Sequence, residues 1–205
     1  MDDERFRERD GKQYERVTRV LDYFLDPGLM ETERGLGLDE LKKRGRAACK
    51  IGDRVDELCR EDWENNKYRL KKTDGFEVTS CMRAWECWKR DYPEDFKAIR
   101  EAQTKVWIEE WGVAGTRDFV QTDGILDIKT SKEIYPRYWI QVTVYNKEER
   151  LPHRRILRLD KNLGEYEYKE AMAVHPWLTQ EYGEQVFIGL LNAYRYYKAI
   201  ENGGF

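Results

Sequence analysis

Two apolar runs flank Asp123-Gly124, and this arrangement narrows the choice of fold more than any other part of the sequence. An Asp-Gly pair between two such runs is a strong signal for a β-hairpin, because Asp and Gly tolerate the positive φ angles of a tight hairpin turn. We therefore predict strands at about 113–121 and 125–130. Because the content of β-branched and aromatic residues rises from Phe96, a further strand is predicted at about 98–108.

Charged side chains interrupt this predicted hairpin. Side chains alternate between the two faces of a strand, so Asp127 and Lys129 share one face while Leu126 and Ile128 occupy the other. Across the hairpin, Asp118 can lie beside the charged pair. Carboxylates and an ammonium are costly inside a sheet unless they pair with one another or bind a cation.

A hard divalent cation suits this pattern. Mg²⁺ prefers a few carboxylate oxygens together with waters and phosphate oxygens. Held between Asp118 and Asp127, with the carbonyl of Ile128 as a further ligand, it would polarise a phosphodiester and supply hydroxide near neutral pH. Lys129 would orient or deprotonate the attacking water, or offset charge on the phosphorane. The alternative is a surface hairpin whose Asp and Lys serve solubility, since Asp-x-Lys alone is common.

Gly115, Gln141 and Tyr145 add to the pattern. Gly115 stands three residues before Asp118, where a small residue lets the chain approach a site closely. Gln141 and Tyr145 are four residues apart, so on a helix they would share one face and reach the metal site or a DNA strand. The propensities of residues 138–145 favour a strand, however, and the pattern alone leaves helix and strand open.

The rest of the chain combines helices and strands in one predicted α/β domain. Residues 1–95 are expected to be mainly helical, 96–170 to form a catalytic sheet and helix, and 178–203 to form a C-terminal helix. The individual predictions are helices at 14–25 (stopped by Asp26-Pro27-Gly28), 40–63 and 78–90, strands at 154–160 and 165–170, and a helix from Thr179 to just before Asn202. Residues 67–77 are predicted to form an exposed loop or a hairpin that turns at Asp74-Gly75.

Composition excludes several classes of protein. Residues 1–5 lack the apolar run of a signal peptide, and no stretch approaches the roughly 18 apolar residues of a membrane span. We therefore expect a cytoplasmic protein with no membrane partner. The four cysteines form no CxxC pair, which argues against zinc and for reduced thiols.

The charge pattern leaves nucleic-acid binding open. A formal net charge of -3 argues against a protein that coats DNA regardless of sequence, but a local basic groove can coexist with an acidic remainder. The basic run 42–46, with Lys50 and Arg54, is a candidate helix edge. It would either contact phosphates or form an ordinary solvated face.

The motifs, in their order along the chain, resemble those of the RecB-like branch of the PD-(D/E)XK nucleases, which includes relatives of lambda exonuclease. They read Gly115-Thr116-Arg117-Asp118, Asp127-Ile128-Lys129 and Gln141-Val142-Thr143-Val144-Tyr145. Residues 17–21 and the helical segment that starts at Gly52 also look like the N-terminal helices of that family. The resemblance implies a restriction-endonuclease-like core, a mixed central sheet flanked by helices with a helical N-terminal region. It favours a helix for residues 133–150.

The resemblance also implies a set of site residues and a cofactor. The cofactor would be Mg²⁺ or Mn²⁺, with Asp56 in the position where family members often carry a metal-binding His. Glu101 is the candidate for an acidic residue on the first strand, with Glu109 and Glu110 as alternatives. No iron–sulfur cluster is expected, because every cysteine precedes the nuclease motifs. The residues expected to contact DNA are Gln141, Tyr145, Thr130 and Lys132.

The activity implied by this resemblance is metal-dependent hydrolysis of single- or double-stranded DNA by an exonuclease. A role in phage DNA recombination, inside an infected host and with a recombination partner protein, is implied in the same way. Two alternatives stay open. One is a structure-specific endonuclease, and the other is a non-catalytic DNA-binding or recombination scaffold that keeps the nuclease fold.

Overall fold

A mixed seven-stranded sheet lies at the centre of the fold in the computed structural model. The structure describes residues 6–25, 38–201 and 203, and for residues 25 and 38–42 it describes the backbone only. The strands are β1 (Phe6–Arg9), β2 (Lys12–Arg16), β3 (Ile99–Ile108), β4 (Val113–Gln121), β5 (Gly124–Lys129), β6 (His153–Leu159) and β7 (Tyr166–Glu170). The helices are α1 (Val17–Leu25), α2 (Leu38–Asn65), α3 (Phe76–Asp91), α4 (Pro93–Lys97), α5 (Pro136–Tyr145), α6 (Ala171–Val174) and α7 (Gln180–Glu201).

Strand β4 pairs with three other strands. Along one edge, β3 pairs with it in antiparallel fashion over its whole length. Its other edge is shared, because β2 pairs in parallel with residues 113–114 and β5 pairs in antiparallel fashion with residues 119–120. β6 then pairs in parallel with β5, and β7 pairs in antiparallel fashion with β6. On this shared edge, residues 115–118 lie between the stretch of β4 that pairs with β2 and the stretch that pairs with β5.

Helices cover both faces of the sheet. Phe119, Leu126 and Ile128 point to the face covered by α2 and α3, whereas Val120 and Ile125 point to the face covered by α1, α5 and α7. Alternation along β5 thus buries side chains on both faces, as expected for a central strand. Asp127 follows Ile125 by two residues and lies on the face of α5. The architecture is the mixed α/β sheet flanked by helices that the sequence predicted.

The segment before β6 is helical, although its propensities favour a strand. α5 runs from Pro136 to Tyr145, and proline at the first helical position is favourable because its fixed φ suits a helix start. Tyr138 and Val142 are buried on one side of α5, and Val144 and Tyr145 join the core beneath the sheet. Tertiary packing therefore overrides the local preference for strand.

The N-terminal region differs from the prediction. The helix expected from Tyr14 begins at Val17, and residues 6–16 form the β1–β2 hairpin, which was not predicted for the mainly helical region 1–95. Asp10 and Gly11 both have positive φ, of 52° and 72°, which is typical of a tight hairpin turn. Tyr14 is buried in this hairpin, with its ring 5.0 Å from that of Trp107. The predicted stop at residues 26–28 lies outside the described residues.

Three short features were not predicted. α4 and α6 are single-turn helices next to longer elements, and α3 begins two residues earlier than expected, at Phe76. Within the described ranges, none of the helices combines the length and the apolar character needed to cross a lipid bilayer.

Candidate active site

The predicted motifs meet where β4 and β5 part. The ladder between these strands is formed by residues 119–120 and 125–126. Beyond this ladder, the Asp118 side chain replaces a backbone acceptor. Its Oδ2 accepts a hydrogen bond from the backbone N–H of Ile128 at 2.8 Å. A carboxylate therefore joins two strands at a position where backbone pairing has ended, and it is held in place by β5.

Asp127 is the most buried carboxylate of the cluster, with 1% of its surface exposed. The Nζ of Lys129 lies 2.6 Å from its Oδ2, and the Nε2 of Gln141 donates to its Oδ1 at 3.2 Å. The Lys129 ammonium also lies 5.0 Å from the centre of the Tyr138 ring. Residues from β5 and α5 therefore hold both oxygens of Asp127.

Gly115 and Tyr145 fit against each other. A Cβ added at Gly115 would lie 2.3 Å from Cε1 of Tyr145, far closer than two carbons can approach. The Tyr145 hydroxyl in turn accepts from Nε2 of Gln141 at 3.3 Å. The first and last of the predicted motifs are therefore joined by a direct contact between β4 and α5, and glycine at position 115 is required for it.

The electrostatics of the cluster follow from its burial. Burial raises the pKa of Asp127 to about 7, with the neighbouring Asp118 adding to the rise and Lys129 opposing it. Burial also raises the pKa of Asp118, and it raises that of Asp56 well above the usual range, helped by the charge of Asp118. Burial lowers the pKa of Lys129, but Asp127 and Asp118 outweigh it and give a net rise. Burial and Asp127 together raise the pKa of Tyr145 to about 12.

The donor set fits a divalent cation in its chemistry. Three carboxylates influence one another here, from Asp56, Asp118 and Asp127, and one ammonium opposes them. Burial is the largest cause of these raised pKa values, and a divalent cation between the carboxylates would favour their charged forms. No three Asp, Glu, His or Cys side chains in the described part of the chain are grouped closely enough to hold a metal by themselves. Mg²⁺ is usually held by one or two carboxylates plus waters and substrate phosphates.

Gln103 is a site residue that the sequence did not reveal. The β3–β4 register places it opposite Asp118, and its Nε2 donates to Asp118 Oδ1 at 3.4 Å. Its φ of +51° is unusual within a strand for any residue other than glycine, and such strain is concentrated at functional sites. With Asp53, Asp56 and Glu57 it lines a cleft of about 230 Å³ between α2 and β3. No sequence signal marks a left-handed glutamine, so pattern reasoning could not find it.

The other predicted residues differ in their relation to this cluster. Glu101 is half-exposed and pairs with Arg100 at 3.5 Å, and the structure does not bring it against the carboxylates. Its alternative Glu109 accepts hydrogen bonds from Lys12 and Tyr14 of the N-terminal hairpin. Exposed Lys132 lies in the loop that follows β5.

Thr130 links the end of β5 to α2. A Cβ added at Gly52 would lie 3.6 Å from the Thr130 hydroxyl, which is ordinary van der Waals contact. The same helix carries Asp56 one turn further on, and Asp56 responds to the charge of Asp118. α2 therefore passes close to the end of β5 at Gly52, one turn before Asp56.

Comparison with known proteins assigns no family. A scan of protein-family models finds no match to this sequence, and a search of curated proteins finds no similar one.

Proposed function

We propose that this protein is a divalent-metal-dependent DNA nuclease of the RecB-like branch of the PD-(D/E)XK superfamily. One observation carries the proposal: motifs spread over 31 positions of sequence, from Gly115 to Tyr145, converge on one buried cluster of carboxylates, lysine and amide. A solubility hairpin, the alternative raised by the sequence, would leave Asp127 in water. Instead Asp127 is 1% exposed and contacts both Lys129 and Gln141.

Asp118 and Asp127 would hold the metal, with the Ile128 carbonyl and Asp56 as further ligands. When bound, Mg²⁺ or Mn²⁺ supplies Lewis acidity toward a phosphodiester and a water of lowered pKa. The protein contributes the geometry. Ile128 and Gln103 hold the two oxygens of Asp118, and Lys129 and Gln141 hold those of Asp127. Carboxylates fixed in this way lose little freedom on binding a cation.

Lys129 is suited to stabilise negative charge. Its raised pKa keeps it as an ammonium in the metal-free protein, because Asp127 and Asp118 stabilise the charged form. An ammonium offsets charge that develops on phosphate oxygens, whereas a general base must first lose its proton. Of the roles open to Lys129 at the sequence level, charge stabilisation is therefore the one we propose.

Gln141 and Tyr145 position the cluster. The Gln141 amide donates to Asp127 and to the Tyr145 hydroxyl, so one side chain orients both a metal ligand and a phenol. Tyr145 keeps its proton at neutral pH, since its pKa is raised to about 12. Because Tyr145 is 2% exposed, we assign it to packing against Gly115 and to holding the Gln141 amide, and not to the DNA contact expected from the resemblance.

The substrate class is DNA, and we propose exonuclease action. End-labelled linear duplex, single-stranded DNA, a branched duplex with blocked ends and covalently closed circular DNA would be incubated with Mg²⁺, Mn²⁺ or chelator. An exonuclease degrades the linear forms with metal and spares the circle, whereas an endonuclease cuts branched or closed substrates. DNA binding without cleavage under any metal would instead favour the non-catalytic scaffold. The recombination partner and the phage setting stay expectations from the resemblance.

A further inference from the structure

The first part of α2 stands out from the body of the protein. Each residue from 43 to 50 is exposed, on all sides of the helix, and a Cβ added at Gly45 would meet no atom within 4 Å. Packing begins abruptly at Ile51, which contacts the core cluster, and at Gly52, which lies against Thr130. We call residues 43–50 the basic arm. It is a helical extension that is anchored at the edge of the candidate active site.

The charge of the basic arm contrasts with that of the whole chain. Residues 43–50 carry Lys43, Arg44, Arg46 and Lys50 and no acidic residue, whereas the chain has a formal net charge of -3. Lys43, Arg46 and Lys50 follow one another at three- and four-residue spacing, so they form one stripe along the helix. Arg54 continues the sequence pattern, but it is bound to Asp74 at 2.9 Å and to the carbonyl of Arg69.

A solvated helix face usually mixes both signs of charge. The charged residues within 43–50 are all cations, so the surface that they form is complementary to a polyanion.

We infer that the basic arm binds the phosphate backbone of DNA and guides it to the carboxylate cluster. The inference rests on the proposed function, since it takes the same substrate. The stripe from Lys43 to Lys50 is about 10 Å long at the rise of an α-helix, which matches about three phosphates along one strand of a duplex. Asp56, six residues beyond Lys50 on the same helix, joins the arm to the site.

The test measures how DNA binding depends on salt, in chelator so that no cleavage occurs. Fluorescence anisotropy would follow a labelled duplex binding to wild type and to the arm variant Lys43→Gln/Arg46→Gln/Lys50→Gln. Glutamine keeps helix propensity and length while removing charge. The matched control is Lys67→Gln/Lys71→Gln/Lys72→Gln, which removes three exposed positive charges from the loop at the other end of α2. A further control, Lys43→Arg/Lys50→Arg, keeps the charge.

We expect the magnitude of the slope of log K against log salt to fall by roughly 2–3 in the arm variant, and affinity near 0.1 M salt to fall about 100- to 1000-fold. The loop variant and the arginine variant should keep the wild-type slope. Equal losses in the arm and loop variants would overturn the inference, because general electrostatics would then explain the binding. If metal-dependent cleavage persisted in that case, the proposed function would stand without the arm. A wild type that binds no DNA in chelator would also overturn the inference, and the cleavage assay with metal would then decide the proposed function separately.

Discussion

The raised pKa of Asp127 makes the stability of the protein depend on pH. Its pKa is raised to about 7, so the folded, metal-free protein holds a proton there that the unfolded chain releases near pH 4. A carboxyl with a raised pKa makes folding less favourable as pH rises from the unfolded to the folded value. Asp118 shifts in the same direction. The pKa of Lys129 is also raised, but its titration affects stability only above pH 10 and therefore leaves the interval between pH 4 and pH 7 unchanged.

We therefore predict that the free energy of unfolding in chelator falls between pH 4 and pH 7, by an amount on the order of a few kcal/mol. Asp127→Asn should flatten this decline. Asp123→Asn is the control, because Arg155 lowers the pKa of Asp123, whose contribution is therefore lost only in acid. Urea unfolding at a series of pH values measures all three proteins. A decline in Asp127→Asn as steep as that of the wild type would contradict the assignment of this pH dependence to Asp127.

Gln103 allows a second test at the level of single residues. Its backbone has an unfavourable positive φ, whereas its side-chain amide donates to Asp118. Glycine relieves a left-handed φ whereas alanine does not, so Gln103→Gly should be more stable than Gln103→Ala by about 1 kcal/mol. Both variants lose the amide that donates to Asp118, and both should lose cleavage activity.

Denaturant unfolding gives the order of stabilities, and a DNA cleavage assay gives the activities. Lys105, exposed on the same strand with ordinary backbone, is the control: there the glycine variant should be the less stable one. If Gln103→Gly kept full cleavage activity, the amide would have no positioning role.

At the scale of elements, the contact between β4 and α5 decides whether the site forms. Gly115→Ala places a methyl group against the Tyr145 ring, so we predict a loss of about 1–3 kcal/mol of stability together with loss of cleavage. The double variant Gly115→Ala/Tyr145→Leu should recover stability, because the ring is gone, but not activity. Thermal unfolding and cleavage assays separate the two effects.

Gly189 is the matched control, since a Cβ there would meet no atom within 4 Å. In the middle of α7, Gly189→Ala should stabilise the protein by up to about 1 kcal/mol. Additive losses in Gly115→Ala and Tyr145→Leu, with no recovery in the double variant, would show that the two residues do not interact.

Elements with strong local signals were predictable from the sequence. The β4–β5 hairpin and the alternation that buries Asp127 follow from the apolar runs and the Asp-Gly turn. The β1–β2 hairpin was missed because its residues are mostly charged and lack apolar alternation. It forms through long-range contacts, such as the hydrogen bond from Arg7 to Thr116 at 2.8 Å. α5 was assigned correctly only through the family resemblance, against its own propensity.

At the scale of the whole molecule, the sheet brings together groups that the sequence keeps apart. Asp56 and Gln103 reach Asp118 from α2 and β3, and no local pattern predicts either approach. The motif residues themselves could be identified, because their spacing along β4, β5 and α5 carries the signal. The residues at the centre of the candidate site are therefore predictable from the sequence, whereas Asp56 and Gln103 are placed beside them by the tertiary structure alone.

A cation bound to this cluster should stabilise the entire fold. At a concentration of about one hundred times its dissociation constant, a ligand stabilises the native state by about 2.7 kcal/mol, or roughly 5–10 °C for a chain of this size. Mn²⁺ should raise the unfolding temperature more at pH 8 than at pH 6, since the carboxylates must be deprotonated to bind. Differential scanning fluorimetry with Asp118→Asn as control tests this. Equal shifts in both proteins would locate the ion elsewhere.

We propose that Asp118, Asp127 and Lys129 form a metal-dependent centre that hydrolyses DNA. The cleavage rate of labelled DNA in Mn²⁺ or Mg²⁺ tests this for wild type, Asp127→Asn, Lys129→Met and the control Glu94→Gln/Lys97→Met. The control removes an exposed carboxylate–ammonium pair outside the cluster. We predict cleavage by wild type and control that chelator abolishes, and a loss of at least about 100-fold in both site variants. Cleavage that survives in Asp127→Asn and Lys129→Met would contradict the account.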